Sequence, residues 1–143
     1  MDGRTSLSSL KFEGYVVEKV MFQRNQNLDN SIKEWNLTFD VKNETKINSQ
    51  KNKMKINLSV EVFKEVKNAP FIIEAEIAGV FSINGDDDIL KFEANAIAIM
   101  YPYLRAIVST YTSAANVVPV ILPAINVNAM LKRKKEENNN KEN

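Results

Sequence analysis

The alternation of apolar and polar residues predicts four β-strands in the part of the chain before residue 82. It covers residues 10–22, 35–41, 54–62 and 71–81, and a period of two is typical of strands with one buried face. Gly14 interrupts the first segment, which predicts a β-bulge there. The polar stretches 23–31 and 43–53 predict loops. Because short connections join consecutive strands, the pattern indicates an antiparallel sheet.

The pattern changes after Asn84-Gly85, and from Ile89 onward it predicts a helix. Pro102 lies inside the helical pattern, and because proline is tolerated in a first helical turn, we place the regular helix at residues 100–115. The apolar stripe of this helix recurs at intervals of three and four residues, at Ile97, Met100, Leu104, Ile107, Val108 and Tyr111.

Three consecutive carboxylates, Asp86 to Asp88, precede the predicted helix. Unpaired N–H groups and the positive end of the helix dipole favour acidic residues at such a position. The alternative is a Mg²⁺ site, but three adjacent side chains point in different directions. Helix capping is therefore the preferred interpretation, and we expect neither a metal nor a cofactor.

An apolar segment with two prolines follows the helix, at residues 117–125. Proline does not fit the interior of a helix or of a central strand, so we expect this segment, called the crossing below, to be extended. Such a segment is stable only against another apolar surface, of its own domain or of a partner. Asn126 can then cap a short helix that ends near residue 134, and the polar residues 132–143 are expected to be disordered.

Together these elements predict one α+β domain over residues 1–131. It consists of a four-stranded antiparallel sheet followed by a long helix, an extended crossover loop and a short C-terminal helix. The chain of 143 residues has no Cys and no His, which excludes thiolate and imidazole catalysis, disulfides and the usual zinc ligands. Since no other catalytic constellation is evident, we do not expect an enzyme.

Charge and hydropathy restrict the partners of the chain. The net charge of +1 gives no overall field to attract nucleic acid. No apolar stretch approaches the roughly 18 residues that span a bilayer, and the N-terminus lacks the apolar core of a signal peptide. We therefore expect a cytoplasmic protein without nucleic-acid binding or membrane insertion.

Four short motifs add information through their order along the chain. They are Lys33-Glu34-Trp35, residues 78–85 (AGVFSING), residues 101–105 (YPYLR) and residues 119–131 (PVILPAINVNAML). In this order they resemble the start of the second strand, the end of the fourth strand, the start of the long helix, and the crossover loop with the last helix of the SecB family of protein-export chaperones. The resemblance covers roughly residues 10–131.

The resemblance implies a homo-oligomer, usually a tetramer built as a dimer of dimers, in which residues 10–22 pair between subunits and long helices pack between dimers. It also implies an ATP-independent holdase that binds unfolded or aggregation-prone polypeptides in apolar grooves. Carried over to this chain, one groove wall consists of Trp35, Leu37, Phe39 and Val41, and the other of Ile121, Leu122, Ile125, Met130 and Leu131. The alternative, strongest for Leu37 and Val41, is that these are plain core residues.

The resemblance leaves the role of the chain open between protein export, with preproteins as clients, and protection of an antitoxin in a toxin–antitoxin–chaperone system. In export members an acidic sheet surface docks the SecA translocation ATPase. Lys19 and Gln23 stand at two of those acidic positions here, and only Glu74 matches, which would weaken docking. A further alternative is an oligomeric scaffold or small-ligand module that keeps the fold without binding clients.

Overall fold

The computed structural model describes residues 9–27 and 34–141, and it shows one antiparallel sheet with two α-helices. The elements are β1 (Ser9–Arg24), β2 (Phe39–Ile47), β3 (Lys53–Val62), β4 (Phe71–Asn84), a 3₁₀ turn (Ile89–Phe92), α1 (Glu93–Ala114) and α2 (Val127–Lys141). The sheet order is β1-β4-β3-β2, so that β1 and β2 form its two edges. This architecture confirms the predicted fold class.

The inner face of the sheet packs against α1 and forms the core. Alternate side chains of β3 and β4 are buried there, as the period of two predicts. Gly79 lies directly beneath α1, where a Cβ atom would approach Met100 Sδ to 2.8 Å. The absence of a side chain at this position therefore lets the helix lie close to the sheet. In the described part of the chain, no helix is long and apolar enough to cross a membrane.

The first strand is irregular, as Gly14 predicts. The pairing of β1 with β4 shifts register between Phe12 and Tyr15, and again between Val17 and Lys19. Gly14 has a φ of 113°, a backbone conformation that other residues rarely adopt. The bulge prediction is confirmed, and Tyr15 and Val17, which adjoin the two register shifts, are exposed on this edge strand.

The second strand differs from its predicted limits. It begins at Phe39 rather than at residue 35, because the preceding residues lie against the β3–β4 connection. There the Trp35 indole N–H donates to the Asn68 carbonyl at 3.0 Å, and the Phe63 N–H donates to the Thr38 carbonyl at 3.0 Å. At the other end the strand continues to Ile47, so the hairpin loop is shorter than the predicted 43–53.

The long helix also begins earlier than predicted. The 3₁₀ turn and the first seven residues of α1 lie before residue 100. Asp88 accepts a hydrogen bond from the Leu90 N–H at 3.0 Å. Helix capping by this acidic run is thereby confirmed. Pro102 lies inside α1, but both it and Ala98, four residues earlier, are exposed. Because the missing hydrogen bond falls on the solvent side, the helix continues through the proline.

The final helix is longer than predicted. Its N-terminus is capped as expected, since Asn126 Oδ1 accepts from the Ala129 N–H at 2.9 Å. The helix then continues to Lys141, through residues that were expected to be disordered. Lys, Arg and Glu have high helix propensity, and they make up six of the seven residues from 131 to 137. Residues 142 and 143 lie outside the described range.

Candidate functional site

Hydrogen bonds from α1 hold the crossing in place as an extended segment, which confirms that prediction. The Ser109 hydroxyl donates to the Val120 carbonyl at 2.9 Å, and the Val120 N–H donates to the Thr112 hydroxyl at 2.9 Å. Farther along, the Tyr101 hydroxyl donates to the Pro123 carbonyl. Burial raises the pKa of Tyr101, and the nearby Arg105 charge partly offsets this effect. The path of the crossing is thus fixed by three side chains of α1.

Side chains of the crossing point alternately into the core and into solvent. Val120 and Leu122 are buried, with 7% and 0% of their surface exposed. Val118 and Ile121 are 83% and 70% exposed. The two neighbouring candidates for client contact are therefore separated: Ile121 is available to a partner, whereas Leu122 belongs to the core.

The predicted wall along residues 35–41 is only partly open. Leu37 is exposed, Trp35 and Phe39 are half-buried, and Val41 is buried. Among the candidates of the opposite wall, Ile125 and Leu131 are half-buried and Met130 is buried. The alternative of plain core residues therefore fits Val41 better than it fits Leu37.

Two of these candidates meet in a cleft of about 530 Å³ between β2 and α2, called the first cleft. Val41 and Met130 contribute its apolar lining, and the Lys134 ammonium donates to the Asn43 carbonyl across it. Asn43 Oδ1 is buried and accepts no hydrogen bond in the described structure. The remaining lining residues are Asp40, Lys42, Arg133, Glu137, Asn138 and Lys141.

A second cleft, of about 660 Å³, lies on the other side of α2. Leu90 and Leu131 are its apolar lining residues, and Lys134 and Asn138 are shared with the first cleft. The other lining residues are Thr45, Glu93, Lys132 and Lys135. Sequence reasoning missed these basic side chains because it treated residues 132–143 as a disordered tail, although their helix-forming composition was visible.

The outer face of the sheet carries the position predicted to dock a partner. The Glu74 carboxylate lies 3.0 Å from the Lys19 ammonium and 3.2 Å from that of Lys64, and Lys64 also lies 3.1 Å from Glu61. Hydrogen bonds from Lys19 and then Lys64 hold the pKa of Glu74 below its ordinary value. The network contains two lysines and two glutamates, so the charge of Glu74 is already paired within its own chain.

We expect Glu74→Gln to lower the free energy of unfolding by at most about 1 kcal/mol, because its partner lysines are largely exposed. A lowered pKa in the folded state means that the stabilisation is complete above the unfolded pKa. It is lost as the pH falls through the folded pKa. In urea unfolding at stepped pH, the gap between wild type and variant should be constant above about pH 6 and shrink toward about pH 3. A gap that grows on acidification would contradict this ion network.

The acidic run before α1 is engaged with the protein itself. Asp88 caps the 3₁₀ turn and lies 3.8 Å from the Lys51 ammonium, and Asp87 lies 3.5 Å from that of Lys91. Within the described residues, no group of three or more acidic side chains is arranged to hold a metal ion.

Comparisons with known proteins identify the same family as the order of the four motifs does. The family model described as preprotein translocase subunit SecB matches residues 10–138. An uncharacterized protein of Methanocaldococcus jannaschii, MJ0357, is 33% identical over 145 aligned positions, covering 94% of this chain and 92% of the relative. The protein-export protein SecB of Actinobacillus succinogenes is 30% identical over 128 positions, covering 85% of this chain and 77% of the relative.

A solved structure has the same fold at low sequence identity. It is the Mycobacterium tuberculosis Rv1957 SecB-like chaperone in complex with a ChAD peptide from the Rv1956 HigA1 antitoxin. The TM-score is 0.59 at 14% identity, over 82% of this chain and 91% of the other. Family match, relatives and fold therefore agree, and the chain belongs to the SecB family.

Proposed function

We propose that this protein is an ATP-independent chaperone that binds unfolded or aggregation-prone polypeptides along the crossing and the clefts beside α2. Membership of the SecB family and the names of its export-protein relatives support a chaperone role. The observation that carries the proposal is the crossing itself: a rigidly hydrogen-bonded segment that holds a large apolar side chain, Ile121, 70% exposed. A fixed apolar side chain of this kind is suited to contact an unfolded chain.

The strength of client binding follows from the number of contacts rather than from any one of them. Burial of one large apolar side chain contributes about 1.5–3 kcal/mol before the cost of ordering the client. A client that wraps several subunits makes its later contacts intramolecularly, which raises the overall affinity. A holdase of this kind binds by shape and apolarity, and its action needs no catalytic group.

Two adjoining exposed apolar surfaces, which meet where the Tyr15 and Tyr103 rings lie 4.7 Å apart between centroids, support the proposed dimer of dimers. Tyr15, Val16 and Val17 are exposed on the edge strand β1, with Val16 at 59%. Ile99 and Tyr103, four residues apart on α1, are exposed on one helix face. Pairing of β1 between subunits and packing of α1 between dimers would cover both surfaces.

The client stays open between preproteins and an antitoxin. The structural neighbour binds an antitoxin peptide, which supports a polypeptide client for this chain without identifying it. Docking to SecA has less support, because the one matching acid, Glu74, is paired with Lys19 and Lys64. We therefore favour a client-dedicated role over delivery to a translocation ATPase.

Ile121→Ser is expected to weaken client binding about tenfold, since it removes an apolar side chain already open to the client. The probe is a reduced, carboxymethylated and therefore permanently unfolded protein carrying a dye, and fluorescence anisotropy measures its Kd. Val80→Ser is the control, because Val80 is also an exposed apolar residue, 39% exposed, but lies on β4 away from the crossing and both clefts.

The control should change the Kd by less than about twofold. If Ile121→Ser binds the probe as the wild type does, the proposed contact surface is wrong. If the wild-type protein ignores the probe, the chaperone proposal itself fails and a non-binding scaffold on the same fold takes its place.

A further inference from the structure

The clefts beside α2 carry a concentration of positive charge that the whole chain does not have. Four cationic and two acidic side chains line the first cleft, and three cationic and one acidic line the second. With Lys134 shared, six cations stand against three carboxylates, although the chain as a whole has a net charge of only +1. The cations are Lys42, Lys132, Arg133, Lys134, Lys135 and Lys141.

Most of these cations have no carboxylate partner in the part of the chain that the structure describes. Lys42 lies 3.7 Å from the Asp40 carboxylate, and none of the other five has a carboxylate oxygen within 4 Å among the described residues. Five of the six project from α2, whose side chains line both clefts. The helix therefore presents an unpaired cationic rim on each side of it.

Apolar residues lie below this rim. Val41 and Met130 are 9% and 8% exposed at the bottom of the first cleft, and Leu90 and Leu131 line the second, with Leu90 46% exposed. The combination differs from a simple polyanion site, which needs no apolar floor, and from a purely apolar groove, which needs no cations. It matches a ligand that carries both kinds of group at short intervals.

The geometry of β2 favours an extended ligand. In the described structure β2 pairs with β3 on one side and with no strand on the other. The Asn43 carbonyl accepts from Lys134, so it points away from β3 along this free edge. An added strand would find the outward backbone groups of alternate β2 residues here, which lie between the groups that pair with β3.

We infer that the clefts beside α2 select extended polypeptide segments in which acidic residues alternate with large apolar ones. This inference rests on the proposed chaperone function and adds the chemistry of the preferred client. Acidic side chains pair with the rim while apolar side chains cover the floor. Segments rich in Lys or Arg are disfavoured by repulsion from the same rim.

The test uses dye-labelled peptides of about 12 residues that share a Leu and Ser framework and differ only in carrying Asp, Asn or Lys at the same positions. Anisotropy titrations are run at about 20 and about 300 mM salt, because salt screens the exposed rim. We expect the Asp peptide to bind about tenfold more tightly than the Asn peptide at low salt, and the Lys peptide most weakly. The preference should shrink at high salt.

Arg133→Gln with Lys135→Gln removes one cation from each cleft and leaves the Lys134 contact to Asn43 in place. It should reduce the Asp preference to less than about threefold without changing the Asn peptide. The control, Lys53→Gln with Lys67→Gln, removes two exposed lysines outside both clefts and outside β1, and should leave the preference unchanged.

Equal binding of the Asp and Asn peptides would overturn the charge selection and leave the chaperone proposal standing. An Asp peptide in which Ser replaces every Leu should bind more weakly than the Asp peptide with Leu. If the two bind equally, the proposed selection of alternating acidic and apolar residues is wrong, because the clefts would then be a general polyanion site. If no peptide binds and the unfolded protein does not bind either, both proposals fail together.

Discussion

Leu122→Ala is expected to lower the free energy of unfolding by about 2–5 kcal/mol. Leu122 is fully buried in the cluster that also contains Leu104 and Met100 of α1. Truncation removes its apolar surface from the core and leaves a cavity, because hydrogen bonds on both sides of it hold the crossing in place and limit collapse. Urea unfolding followed by circular dichroism measures the loss.

Ile121→Ala is the matched control for this prediction, since it removes a chemically similar side chain from the adjacent position. With 70% of Ile121 exposed, its truncation should change the free energy of unfolding by less than about 0.5 kcal/mol. Equal losses in the two variants would contradict the alternating burial of the crossing. A small loss in both would mean that the crossing is not docked on α1 in solution.

The sheet could be predicted from the sequence because burial of one sheet face determines the alternation of apolar and polar residues along its strands. Every second side chain of β3 and β4 is buried, and burial against α1 demands that regularity. The start of β2 could not be predicted in the same way. Residues 35–41 alternate equally well, but Trp35 is held by the Asn68 carbonyl, a contact between segments far apart in the sequence. Such tertiary contacts leave no local pattern.

The extended path of the crossing could be predicted from the sequence, but the directions of its side chains could not. The prolines of the crossing indicated an extended apolar segment, and the motif order indicated the family. Which side of that segment faces solvent depends on the Ser109 and Thr112 hydroxyls of α1, and nothing in the crossing itself records them. For the same reason the sequence predicts both Ile121 and Leu122 as client contacts, whereas in the structure Ile121 is exposed and Leu122 is buried.

Helix α2 shows a different cause of error. A segment without large apolar residues gives no burial signal, and disorder is therefore predicted for residues 132–143. The helix nevertheless continues, because its first turns are anchored by Met130 in the core and by the Asn126 cap, and each added residue then costs little. The cationic rims of both clefts depend on this continuation.

Thr112→Val is expected to lower the free energy of unfolding by about 1–3 kcal/mol and to loosen the crossing. The Thr112 side chain has no exposed surface, and its hydroxyl donates to the Val108 carbonyl at 2.8 Å while accepting from the Val120 N–H. Valine has nearly the same shape but cannot accept, so the Val120 N–H would be buried without a partner. Hydrogen exchange at the Val120 amide, followed by nuclear magnetic resonance, reports this bond directly.

Thr112→Ser separates the hydrogen bond from the packing. Serine loses the methyl group and keeps the hydroxyl, so the protein should lose some stability while the Val120 amide remains protected. Ile121 directly follows Val120, so loosening the crossing at Val120 should also disturb the position of Ile121. The valine variant should therefore bind the unfolded probe more weakly, whereas the serine variant should bind it as the wild type does. If the Val120 amide is as well protected with valine as in the wild type, the hydroxyl does not hold the crossing. The exposure of Ile121 would then have to arise from the conformation of the two flanking prolines, Pro119 and Pro123, which restrict the backbone on both sides of it.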